Sequence, residues 1–123
     1  MTPDELRDRT RRFAVDVTKA AARWEQTSVS RNMAVQASRA ATAVAANYRA
    51  ACLARSPEEF FARIAVVAEE ADEVVYWLGL LDEVCPSTRS ACAPLLDEAR
   101  QVRRIMLASR QTARRRVALR RKR

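Results

Sequence analysis

An all-α fold, an antiparallel up-down-up-down four-helix bundle, is the class this chain predicts. Three observations carry it. One glycine and four prolines in 123 residues are too few turn residues for the regular hairpins of a strand protein. Apolar residues recur three and four apart in four separate stretches, the period of a helix face buried on its neighbours. The breaks between the stretches are short, which makes successive helices antiparallel neighbours. No internal repeat or domain linker is visible, and a chain of this length can bury roughly 65–70% of its unfolded surface as one domain.

The first helix is predicted from Pro3 to about Gln26. Thr2 suits the N-cap, Pro3 the first helical position, and Glu5 the place of a capping-box carboxylate. Leu6, Phe13, Val17, Ala20 or Ala21, and Trp24 form its apolar stripe, with Arg7, Asp8, Arg11, Arg12, Asp16, Lys19 and Arg23 opposite. The second helix should begin after Ser28 or Ser30 and end near Arg55. Its stripe of Met33, Ala37, Ala40, Val44, Tyr48 and Ala51 is mostly alanine, so a neighbour can approach closely while each side chain buries little area. A second stripe, Gln36, Arg39, Ala43, Asn47 and Ala50, runs beside it.

Ser56-Pro57-Glu58-Glu59 is the sharpest boundary in the chain: a cap, a first-turn proline and two carboxylates at the positive end of a helix dipole. The third helix then runs to about Val84 on Phe60, Ile64, Val67, Ala71, Val74, Leu78 and Leu81, the seam of a bundle helix. Gly79 costs about 1 kcal/mol against alanine there and points to a close backbone approach. The fourth helix starts between Ser87 and Leu95, with Pro94 favouring a late start or a place in the first turn. Leu95, Ala99, Val102, Met106, Ser109 and Ala113 continue its stripe.

Charge divides the chain unevenly. Lys and Arg number 23, Asp and Glu 15, for a net of +8. Eight basic residues fall after Ser109: Arg110, Arg114, Arg115, Arg116, Arg120, Arg121, Lys122 and Arg123, and no acid follows Glu98. The remaining 15 basic side chains equal the acids in number, so the whole net charge sits in the last fourteen residues. This predicts a bundle over 1–109 and a basic extension over 110–123, either a frayed helix end or a segment that orders on a partner. Those eight side chains are the candidate contacts for the phosphates of RNA or DNA. No aromatic is interleaved with them in sequence, so binding should be sequence-tolerant. A purely solubilising helix end, or contact with an acidic protein or membrane surface, are the competing readings. Cutting at Ser109 is expected to leave the fold intact and remove binding.

Several chemistries are excluded as expectations. Histidine, the usual neutral-pH base, is absent. One glycine cannot build a phosphate loop, and the cysteines have no histidine partner, so no enzyme and no cofactor are expected. Glu69, Glu70, Asp72 and Glu73 lack the histidine that a carboxylate-bridged metal site in a bundle takes, so no metal is expected. Met1-Thr2-Pro3-Asp4-Glu5 carries no signal-peptide core, and no apolar run reaches the ~20 residues of a membrane span. Cys52, Cys85 and Cys92 are odd in number, which suits reduced thiols in a cytoplasm. Cys52 reads as a core residue, and Cys85 with Cys92 as a less favoured loop disulfide.

The carboxylates suit a polar cluster better: Glu70 and Glu73 pairing with Arg39 and bonding Gln36 or Asn47, either setting helix register or linking subunits. In line with them on the third helix lie Trp77, Leu80 and Val84. A bundle helix needs one apolar face, so a second marks either an interface or a helix wrapped on two sides.

These residues carry a resemblance. Gln36, Arg39, Ala40, Ala41, Val44 and Asn47, with Ser56, Phe60, Glu70, Ala71, Glu73, Trp77 and Leu78, are similar to the motifs of the bacterial four-helix-bundle proteins encoded by intervening sequences of ribosomal RNA genes. The resemblance spans roughly Leu6 to Ser109; Arg49, Ala50 and Ala51 stand where members often carry a glycine-containing turn signal. It implies a cytoplasmic ring, usually a homopentamer. Accessory proteins of diversity-generating retroelements resemble that family in fold, and bind nucleic acid and a reverse transcriptase. The resemblance thus implies a non-enzymatic accessory factor contacting RNA or DNA, with a protein-scaffold ring as the alternative.

Overall fold

Residues 1–24 and 27–122 are described by a computed structural model. Four helices follow in order, α1 (Pro3–Arg23), α2 (Ser28–Ala51), α3 (Pro57–Val84) and α4 (Arg89–Arg121), with a single 3-10 turn at Pro86–Thr88 before the last. Each helix packs on the next in sequence, and α1 meets α4 along a shorter seam, so the four close into an antiparallel bundle.

Local chemistry sets each corner. The Thr2 hydroxyl accepts the Glu5 amide at 3.1 Å and starts α1. The expected end of α1 at Gln26 lies outside the described residues; α1 stops at Arg23, and Trp24 turns extended and buries its ring. α2 starts on Thr27, whose side chain accepts the Ser30 amide at 3.1 Å while the Ser30 hydroxyl accepts the Thr27 amide at 3.0 Å. It ends at Ala51, four residues before the expected Arg55. Tight turns from Leu53 to Ala50 and Ala54 to Ala51 close it, and the Arg55 amide donates instead to Glu59 of α3 at 2.9 Å. Ser56 precedes a proline and is extended, so α2 could not run on.

The third corner corrects the reading of Pro94. α4 begins at Arg89, which leaves Pro94 inside the helix, past the first turn. The Thr88 hydroxyl bonds the Cys85 carbonyl at 2.8 Å, and the Arg89 guanidinium holds the Asp82 carbonyl at 3.1 Å, fixing the early start. Pro94 is exposed, so its ring displaces no neighbour.

α3 and α4 supply most of the bulk in the core. Ile64, Val67, Val74, Leu78 and Leu81 are fully buried with Val102 and Met106, and Phe13 and Val17 close in from α1. Ala34, Ala37, Ala40, Ala41 and Ala51 make up most of the buried side of α2, beside Met33, Val44 and Tyr48, and side chains this small allow a neighbouring helix to approach closely. Between α1 and α4, the Arg9 guanidinium grips Glu98 through two bonds at 2.8 and 2.7 Å and reaches Gln101 at 2.9 Å. This paired hydrogen bonding raises the Arg9 pKa.

Gly79 does not mark a close approach: a Cβ placed there would meet no atom within 4 Å. Gly79→Ala should therefore stabilise the bundle by about 1 kcal/mol, because alanine restricts the unfolded chain and clashes with nothing. Chemical denaturation would show a higher midpoint at unchanged slope; a lower midpoint would mean that the helices close around this position.

Candidate nucleic-acid interface

The basic extension is helical to its end. α4 passes Ser109 without a break and continues to Arg121, so residues 110–121 occupy about three turns. Ala113 and Val117 are buried at 2% and 5% exposure, which ties this stretch to the bundle. Arg110 is half-buried; Arg114, Arg115, Arg116, Arg120, Arg121 and Lys122 are exposed, and Arg123 lies outside the described residues. Arginines at the C-terminal end meet the negative end of the helix dipole, which favours them there.

Antiparallel packing sets this end beside the start of α3. The Arg114 guanidinium lies over the Phe61 ring, 5.8 Å from its centre. Arg120 lies 3.7 Å from Glu58, an exposed pair of little stabilising worth. Phe60 and Arg116 line one groove on the α3–α4 surface with Ile105 and Thr112. Arg115, Arg116, Arg121 and Lys122 have no carboxylate partner among the described residues, so four cations stand free for an anionic ligand.

The sequence signal missed the aromatics. Phe60 and Phe61 precede the arginines by some fifty positions, and only helix pairing brings them together. Arg49 and Arg55, exposed at the end of α2 and in the turn after it, belong to the same end of the bundle by topology. Alternating helix direction was the available clue, since it returns the end of α2 to the start of α3.

The second predicted cluster stays apart from this end. Gln36 and Asn47 are half-buried on α2, Arg39 is exposed, and Glu70 and Glu73 lie on the facing side of α3. Among the described residues neither glutamate forms an ion pair with Arg39, and no bond reaches Gln36 or Asn47, so the pairing expected to set helix register is not made within the chain. Glu70 is instead pushed up, first by burial and then by Glu73, which shares a hydrogen bond with it, while Arg39 offsets part of this. Trp77 and Leu80 are half-buried, and Val84 is 52% exposed. Val29 of α2 and Val66 of α3 extend apolar surface around them, at 59% and 43% exposure.

A carboxyl whose folded pKa is raised destabilises the fold above that pKa and ceases to do so below its unfolded value. Glu70→Gln should thus raise the Tm of an isolated chain at neutral pH by on the order of 2 °C. The gain should fade as pH falls through the window between the raised and ordinary carboxylate pKa. A gain that persists below that window would show that charge is not its source.

The three thiols are free: Cys92 is buried and donates to the Leu78 carbonyl at 3.8 Å, while Cys52, just past the end of α2, and Cys85 are half-buried. Burial pushes the Cys92 thiol up, and pushes the Tyr48 hydroxyl up to about 12, so neither is an activated nucleophile. Among the described residues no cluster of three metal-ligating side chains forms, and no helix is long and apolar enough to cross a membrane.

No protein-family model matches the chain, and no curated protein matches it in sequence. Among solved structures, it is similar to a protein of unknown function from the S23 ribosomal protein family of Bacteroides thetaiotaomicron VPI-5482. The two share 24% identity over 85% of this chain and 97% of the other, with a TM-score of 0.72. That likeness shows the four-helix fold.

Proposed function

We propose that this protein is a non-enzymatic, oligomeric accessory factor that holds the phosphate backbone of RNA or DNA on the basic end of its bundle. One observation carries the reading: Arg115, Arg116, Arg121 and Lys122 are exposed on an ordered helix end with no carboxylate partner among the described residues. A backbone already helical spares these cations the cost of ordering the main chain, and counterion release drives their contact with phosphates. The structural neighbour's membership of a family named for a ribosomal protein suits RNA over DNA. The motifs of the ribosomal RNA intervening-sequence family suit it too, and the retroelement likeness adds a reverse transcriptase as a protein partner.

Oligomerisation rests on the α2–α3 face. Trp77, Leu80, Val84, Val29 and Val66 leave apolar area exposed around Gln36, Arg39, Asn47, Glu70 and Glu73, a polar set in which neither glutamate forms an ion pair with Arg39 among the described residues. A neighbouring copy would cover the first set and pair the second. In a homopentamer, five helix ends would gather about forty basic side chains on one ring, in the cytoplasm where RNA is available.

The test measures binding of RNA and DNA across a salt series, with particle mass by light scattering. A steep salt slope on a particle several times the 13.9 kDa chain mass is the expected result. No binding at low salt would overturn the nucleic-acid reading. It would favour a protein scaffold, for which the surface holds a separate groove of about 710 Å³ between α1 and α2, floored by Ala14, Val15, Ala45 and Ala46.

A further inference from the structure

We infer that the groove between Phe60 and the α4 face of Ile105, Ala108, Thr112 and Arg116 receives an unstacked base, so that the basic end selects single-stranded over double-stranded nucleic acid. The inference rests on the nucleic-acid reading above and names the form of ligand that the same end takes. Four observations converge on it.

The groove is open and about 420 Å³ in volume, large enough for a flat heterocycle. Its wall carries the Phe60 ring, and Ile105 and Ala108 add apolar surface. Ser109 and Thr112 contribute hydroxyls for the polar edges of a base. Along the same side of α4 the character changes in order, from Ile105 through Thr112 to Arg116 and Arg120, each about one or two turns from the last. A base in the apolar part therefore leaves its phosphates beside two arginines about 6 Å apart.

Charge decides the occupant. An apolar groove ending in arginines, on the end of the chain that holds the whole excess of positive charge, repels a basic partner and matches a polyanion. A polyanion that also presents flat apolar faces is a nucleic acid with its bases unstacked. In a duplex those faces are stacked away, and only the phosphates could be met. Arg120 is held by Glu58 through one exposed contact at 3.7 Å, weak enough for a phosphate to displace.

The experiment titrates the full-length protein with a fluorescent oligouridine and with an RNA duplex of equal phosphate count, at one fixed salt. The single strand should bind about tenfold tighter, the worth of one stacked base. Ala108→Leu and Thr112→Leu, both at exposed positions, fill the groove without adding an aromatic face or changing charge. Each should remove the preference by weakening the single strand about tenfold and leaving the duplex unchanged. Phe60→Leu should do the same, and thermal melts of all three variants separate lost binding from lost folding.

Equal affinity of the unaltered protein for the two forms would overturn the inference while leaving the phosphate-binding reading in place. Absence of binding to either form would overturn both. A single-strand preference that survives the filled groove would place the base elsewhere and sink the assignment. A change in particle mass on filling the groove, with the preference intact, would assign it to a second copy of the chain.

Discussion

Glutamine at Arg115, Arg116, Arg121 and Lys122 together is expected to weaken RNA binding about 100-fold or more at low salt and to leave thermal unfolding unchanged. All four side chains are exposed and free of carboxylate partners among the described residues, so removing their charge should hardly touch the fold. Each phosphate contact adds about 0.9 to the slope of log affinity against log salt, so losing four should flatten it by about 3 to 4. Truncation at Ser109 is a poorer experiment than the sequence suggested. It would strip Ala113 and Val117 from the core and uncover the start of α3, including Phe60 and Phe61. Two buried apolar side chains and a cation–π contact should cost about 3 kcal/mol or more, near 12 °C of Tm in a chain of this size. The truncated protein would then lose binding for either reason. If the glutamine variant keeps both affinity and slope, the helix end is not the site.

Most of the fold was legible because the periodic signal and the boundary signals agreed. Ser56-Pro57 gave the start of α3 to the residue, since cap, proline and acidic first turn all demand the same position. The stripes Met33, Ala37, Ala40, Val44, Tyr48 and Ala51, and Ile64 through Leu81, are buried as their spacing requires. The end of α2 was read four residues too far because Arg55 carries no helix-breaking chemistry of its own. What stops α2 is the pair of tight turns at Leu53 and Ala54, ahead of an extended Ser56 that precedes a proline, and the Arg55 amide is then taken by Glu59 at the start of the next helix. Gly79 misled for a related reason. Glycine in a helix often marks close packing, and only the neighbours' positions show that the space beside it is open.

The site was legible as charge and illegible as shape. Eight basic residues after Ser109 are visible to any count. That they ride a helix, with Val117 buried and Arg114 over Phe61, depends on the length of α3 and the register of α3 on α4. Val117 was the one local hint, an apolar residue four after Ala113, outweighed by the arginines around it. The polar set Gln36, Arg39, Asn47, Glu70 and Glu73 shows the opposite failure. Residue types that suit an ion-pair network do not make one among the described residues: Glu70 shares a hydrogen bond with Glu73, and Arg39 acts on it only through its charge.

Ala41→Leu is expected to destabilise the bundle by about 2–3 kcal/mol, lowering Tm by about 8–12 °C. Enlarging a core residue usually looks favourable on transfer grounds, at about 25 cal/mol per Å² buried. Here the alanines of α2 leave no space for the gain: Ala37 and Ala41 are both 0% exposed, and protein cores are packed to crystal density. A leucine at Ala41 must push away a neighbouring helix or take a strained rotamer. The same change at exposed Ala46 should be nearly neutral, because its side chain would enter the open α1–α2 groove. A higher Tm for Ala41→Leu would mean that α2 is loosely packed and that its alanines serve something other than close approach. The basic end is built chiefly from the end of α4 and the start of α3, whereas Ala41 lies near the middle of α2, about three turns from that helix's end. Below its melting temperature, Ala41→Leu should therefore bind RNA as the unaltered protein does. Stability and binding would then be separable, the first set by the alanine side of α2 and the second by the end of α4.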